Sequence, residues 1–164
     1  MRKLFTMFVA ILTLLALTTT ATLAVGPTSV TRSGGVHFVG QPNLTVSGTS
    51  LVATGEVAGA GPTATATLTA TADVTRGCIN RGSKDQQPSG LKRSFTTQTA
   101  SETFRTRSGR GSFNVATEPI SAAGFACPDR MVPVVVSITW TDISLTITSQ
   151  TGSTTAYFPD QTWP

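Results

Sequence analysis

Thr63-Ala64-Thr65-Ala66-Thr67-Leu68-Thr69-Ala70-Thr71-Ala72-Asp73-Val74-Thr75 decides the fold. Every even position is apolar and every odd position is threonine or aspartate, thirteen residues without a break. A period of two belongs to a strand with one buried and one wet face. Threonine's branched Cβ suits that backbone better than a helix. Alanine on the inward side implies that another layer comes close, or that larger side chains fill in from opposite. Cys78 continues the apolar phase, so its sulfur belongs on the core side.

The same grammar extends in both directions. Upstream, Val36–Val39 and Asn43–Val46 are short alternating segments divided by Gln41-Pro42. Leu51, Ala53, Gly55 and Val57 then share one face of a strand that stops at Gly59-Ala60-Gly61-Pro62. Downstream, residues 80–90 are a polar loop. Leu91–Thr97 is expected as a strand with Leu91, Phe95 and Thr97 facing the core. Thr103–Arg107 and Ser112–Thr117 are expected as a hairpin around Ser108-Gly109-Arg110-Gly111, with Phe104 inward. After Cys127-Pro128, the residues Val134, Val136, Ile138 and Trp140 share a phase, while Ile143, Leu145 and Ile147 lie one residue out of it. A bulge near Thr141-Asp142, or a strand changing sheet, accounts for the slip. Thr154–Phe158 closes a series of eight or nine strands with no helix. The expected fold is all-β, an antiparallel Greek-key β-sandwich of immunoglobulin-like architecture. True antibody-type membership is not supported, because no tryptophan lies between the cysteines and Phe125 stands where a tyrosine corner would.

Residues 1–24 carry a positive start (Arg2, Lys3), an apolar stretch from Leu4 to Leu17 and small residues up to Ala24. They read as a cleaved secretory signal. The apolar stretch is short of the about 20 residues that span a bilayer, and no second run of that length follows. Residues 25–35 read as a flexible lead-in, and 36–164 as a single domain. Charged residues make up 12% of the 164, against 39% hydrophobic, which argues against a disordered, solvating chain. Outside the cytoplasm the only two cysteines, Cys78 and Cys127, are expected to pair. Closing that loop stabilises by about 4 kcal/mol on the chain-entropy model.

Val36-His37-Phe38-Val39, Gly55-Glu56-Val57-Ala58-Gly59-Ala60-Gly61 and Cys78-Ile79-Asn80-Arg81-Gly82, after the threonine–alanine strand, resemble a group of small secreted proteins of Gram-positive, actinomycete-like bacteria. The resemblance implies export and a β fold, and it carries over no catalytic residue.

Chemistry-bearing patterns are scarce. One histidine, His37, offers no cluster for a metal or a triad, and it reads as a partly buried strand residue. No nucleophile elbow, zinc-binding, phosphate-binding or dinucleotide motif is present, so no catalytic residue, metal ligand or cofactor is assigned. The expectation is a non-enzymatic protein. A glycan-active hydrolase, which would need two of the eight carboxylates in one cleft, ranks third.

Charge is distributed unevenly. Arg76, Arg81, Lys84, Lys92, Arg93, Arg105, Arg107 and Arg110 face only Asp85 and Glu102 within residues 76–110, whereas the rest of the mature chain is net acidic. If the fold gathers Arg81, Lys84, Lys92, Arg93, Arg105, Arg107 and Arg110, the patch suits polyanions of the cell envelope or extracellular space. Nucleic acid is the weakest such partner, since Phe95 and Phe104 are both expected inward and leave no stacking platform. The alternative function is protease inhibition through the loop Asp129-Arg130-Met131, with Arg130 offered to a trypsin-like pocket. Asn43-Leu44-Thr45 is a glycosylation sequon for hosts that use it. The wet threonine face of residues 63–75 is a further flat surface of the kind that adhesive strands use.

Overall fold

The computed structural model describes residues 24–81 and 88–164. The signal-sequence reading and the positions of Lys84 and Asp85 therefore lie outside the described residues. Ten strands follow in order: β1 Ser29–Gly34, β2 His37–Phe38, β3 Asn43–Ser47, β4 Ser50–Ala58, β5 Thr63–Asn80, β6 Ser89–Arg105, β7 Gly111–Ala116, β8 Met131–Ser149, β9 Gly152–Tyr157 and β10 Gln161–Trp163. Among the described residues there is no helix, and all pairings between named strands are antiparallel.

The strands form two sheets. The larger runs β1-β9-β8-β5-β6, with β10 added to β8. In the smaller, β4 is central, with β2 and β3 along one edge and β7 along the other. Both sheets contribute to one core. Ala64, Ala66, Leu68, Ala70, Ala72 and Val74 of β5 are all buried, as the alternation requires. Trp140, Leu145 and Ile147 come from β8, and Leu51, Val57, Phe113 and Val115 answer from the small sheet. The alanine face is therefore matched by larger side chains opposite. Gly55 belongs to the same economy of space, because a Cβ there would sit 2.7 Å from the Phe113 ring.

The phase slip in β8 is a bulge within one sheet and not a change of sheet. Thr69 pairs Ser144 and Thr71 pairs Thr141, so two residues of β8 oppose Ala70. Asp142 takes the left-handed conformation there, with φ 52°, and both Trp140 and Ile143 reach the core. Cys78 and Cys127 are joined, with their Cα atoms 5.8 Å apart, which pins the far end of β5 to the connection before β8.

Three expectations need correction. Residues 25–35 are not a loose lead-in, because Ser29–Gly34 pairs along its whole length with β9. All six side chains are exposed, so the strand is held by backbone hydrogen bonds and carries no apolar period to read. Leu91–Thr97 and Thr103–Arg107 are not separate strands, and no hairpin joins the latter to Ser112–Thr117. A single β6 of 17 residues runs to Arg105 in the large sheet, and β7 belongs to the small one. Only Arg107 and Arg110 bridge across the turn, while Phe104 and Phe113, 6.0 Å apart, pack between the layers. Finally, Phe95 and Leu91 do not face the core. They are 68% and 57% exposed on the outer face of the large sheet. The inward residues of β6 are the even ones, with Ala66 pairing Glu102 and Ala64 pairing the buried Phe104.

Candidate functional site

The basic residues are placed by two strands that carry them far apart. Arg93 and Arg105 lie twelve residues apart on β6, about 40 Å at the rise of an extended strand. Arg105, Arg107 and Arg110 gather at the turn where the chain crosses between sheets, and all three are exposed. Arg110 pairs with Glu56 at 3.0 Å. At the other end, Arg93 binds the Asp73 carboxylate through two guanidinium nitrogens and lies 5.3 Å from the Phe95 ring centre. The hydrogen bonds from Arg93 hold the Asp73 carboxyl below its usual range, and Asp73 in turn raises Arg93. Arg76 points the opposite way, donating to the Ser121 carbonyl and the Ser94 hydroxyl. Lys92 sits directly across from Arg76 on that same face, and Arg81 is exposed at the end of β5. Six of the seven residues expected to form one patch are thus divided between two ends and two faces, and the seventh, Lys84, lies outside the described residues.

The loop before β8 holds Asp129, Arg130 and Met131. Arg130 adopts φ 70°, and its carbonyl accepts the Arg81 N–H at 3.2 Å. A protease cleft takes its substrate as an added extended strand, and this backbone is a closed turn. The disulfide braces it from Cys127.

What strand pairing does assemble is the outer face of the large sheet. Three consecutive rows cross β6, β5, β8, β9 and β1. They are Thr103-Thr65-Thr148-Ser153-Ser33, Ser101-Thr67-Thr146-Thr155-Thr31 and Thr99-Thr69-Ser144-Tyr157-Ser29. All fifteen positions carry a hydroxyl, and none carries a charge. Thr65 and Thr103 hydrogen-bond at 3.0 Å, Thr67 and Ser101 at 3.0 Å, and Thr146 and Thr155 at 2.9 Å. Each hydroxyl has one donor and two acceptor lone pairs, so such pairs keep hydrogen-bonding capacity pointed at solvent. Neighbouring strands set a repeat of about 4.8 Å, and alternate residues one of about 6.7 Å. Tyr157, 44% exposed, sits inside this array, and Phe95 lies beyond it next to the Arg93–Asp73 pair.

The sequence showed the β5 column of this face and missed the rest. Serine and threonine alternate at 99–103 and 144–148 as well, but which columns adjoin depends on registers between distant strands.

Elsewhere, His37 is half-buried, its Nδ1 3.0 Å from the Gly35 carbonyl oxygen. Among the described residues no three His, Cys, Asp or Glu side chains are grouped to hold a metal ion. No described helix is long and apolar enough to cross a membrane. That fact and the disulfide are compatible with an extracellular protein. Compared with known proteins, the chain matches no family model, no curated protein and no solved structure.

Proposed function

We propose that the chain is a secreted, non-enzymatic binding domain whose contact surface is the outer face of the large sheet. Its ligand is an extended, uncharged polymer rich in hydroxyls, a neutral polysaccharide in chemical terms. The observation that carries the reading is the three-row hydroxyl array. A flat field offering donors and acceptors in equal measure, without charge, matches a partner of the same kind. Phe95 and Tyr157 add exposed rings on the same face, able to cover the C–H side of a sugar ring. Export rests on residues 1–24, and the kinship with small secreted actinomycete-like proteins rests on the short motifs quoted above. The connections that pass between sheets at β1–β2, β4–β5, β6–β7 and β7–β8 support a Greek-key, immunoglobulin-like sandwich as the finer description of the fold.

Co-sedimentation of the oxidised domain with insoluble neutral polysaccharides tests the reading. Binding should persist at high salt, and Thr67→Lys or the pair Phe95→Ala/Tyr157→Ala should weaken it at least tenfold. Absence of sedimentation with every neutral polymer tried, or an unaffected Thr67→Lys variant, rejects it.

A second reading keeps polyanions of the envelope as ligands, favoured by the exposed Arg105, Arg107 and Arg110 at the crossing turn. It requires retention on an anionic polymer that falls steeply between about 50 and 200 mM salt and is lost in the triple alanine variant. The closed turn at Arg130 favours both of these readings over protease inhibition.

A further inference from the structure

β6 pairs with β5 along one edge, and among the described residues nothing pairs with its other edge. Natural sheets protect such an edge by keeping it short, bulged, charged or interrupted by proline. β6 has 17 residues and no proline. Its register with β5 is unbroken from Arg105 back to Lys92. Between Arg93 and Glu102 lie eight consecutive uncharged residues, Ser94–Ser101. The long unpaired edge is therefore straight and neutral through its centre, with charges only toward its ends.

Those end charges are complementary under a two-fold axis. Thr97 is the middle residue of β6. If a second copy lies antiparallel with Thr97 on the axis, Lys92 of each chain stands directly opposite Glu102 of the other. Both side chains are on the inward-facing side of the strand, as their β5 neighbours Arg76 and Ala66 show. Lys92 has a reason to seek a carboxylate. Its cross-strand neighbour is the like-charged Arg76, an arrangement that costs stability. The groups Arg76 binds, the Ser121 carbonyl and the Ser94 hydroxyl, are both neutral. Glu102 faces alanine across β5 and, among the described residues, its carboxylate accepts the Asn114 N–H through one oxygen at 2.8 Å. Neither Lys92 nor Glu102 has an ion-pair partner among the described residues. On the outer face the same register sets Phe95 beside Thr99 and Leu91 beside Thr103 of the second copy, shielding the free flank of each apolar side chain while leaving its outward surface open.

We infer that the partner of the β6 edge is a second copy of this chain. The two strands pair antiparallel about Thr97, with reciprocal Lys92–Glu102 contacts, and join two large sheets into one. The pairing needs no ligand on the outer face, so it stands or falls separately from polysaccharide binding.

Sedimentation equilibrium of the oxidised protein reads the mass, and cysteine cross-linking reads the register. Thr97→Cys places two thiols on the axis, where directly opposed Cβ atoms lie about 4.5–5.5 Å apart. Thr103→Cys, on the same face of the same strand, meets Leu91 and has no thiol opposite. Under mild oxidation Thr97→Cys should give a covalent dimer at least ten times faster than Thr103→Cys. Lys92→Glu should shift the wild-type dimer to monomer at least tenfold in dissociation constant, and Lys92→Glu/Glu102→Lys should recover most of that loss. The inference is overturned by a wild-type protein that stays monomeric across the micromolar to millimolar range. It is equally overturned by a dimer whose cross-linking at 97 is no faster than at 103, or by one that the charge swap does not restore.

Discussion

Trp140 has no exposed surface, yet its indole N–H meets no acceptor among the described residues. An unsatisfied buried donor costs roughly 1–3 kcal/mol, and the ring's apolar burial outweighs it. Trp140→Ala should lose about 3–5 kcal/mol. Trp140→Phe removes the orphan donor along with some volume, so it should cost clearly less; urea unfolding of the two variants checks the order. Gly55 poses the converse problem. A methyl group there would press on Phe113, and Phe113 is wedged between Phe38 and Phe104 with ring centres 6.3 and 6.0 Å away. Gly55→Ala should destabilise by about 1–3 kcal/mol through overpacking, and pairing it with Phe113→Leu should recover part of the loss. The buried hydroxyls of Thr117 and Thr154, by contrast, are satisfied. Thr117 accepts the Leu51 N–H at 2.9 Å, and Thr154 donates to the Thr31 carbonyl at 3.0 Å.

At the scale of elements, what could be read in advance depended on how one-sided each strand is. β5 was legible because its two faces meet different media along nearly its whole length. β6 was misread because it is a marginal strand. Its inward face overlaps the smaller sheet only in part, leaving Ser94, Gln98, Ala100 and Glu102 half-buried, while Phe95 and Leu91 lie outside. Apolar residues then cease to mark the core face. β1 was invisible for the related reason that none of its own side chains is buried, and backbone pairing with β9 is its main hold. The β5–β6 pair also carries a pH signature. Asp73 is held below the ordinary carboxylate range by Arg93, so it binds its proton less readily folded than unfolded. Its stabilising contribution is complete above the unfolded value of about 4 and is lost as acid protonates it below that. Acid titration of stability should therefore be shallower in Asp73→Asn than in the wild type, with the two curves converging at the acid end.

For the whole molecule, the cysteine pairing could be anticipated, since two cysteines admit one bridge. The hydroxyl face could not, because its five columns come from segments as far apart as Ser29 and Tyr157 and adjoin only through tertiary register. The basic segment misled for the opposite reason. Residues close in sequence were sent to the two ends of a long strand. The bridge closes a span of 49 residues, and Cys78→Ala/Cys127→Ala should lower unfolding free energy by about 4 kcal/mol. A loss much below that would mean that the unfolded chain is already compact around the bridge.

The pairing of Ser29 with Tyr157 fixes an order of events. Residues 29–34 leave a ribosome or an export channel well before the strand that receives them. The large sheet thus cannot be completed vectorially; its outer strand must wait, unpartnered, for β9, which is made long after it. Such high contact order slows folding and lengthens the time during which an open edge is available to other chains. Deleting residues 152–157 should leave Ser29–Gly34 open to protease, where the full chain resists.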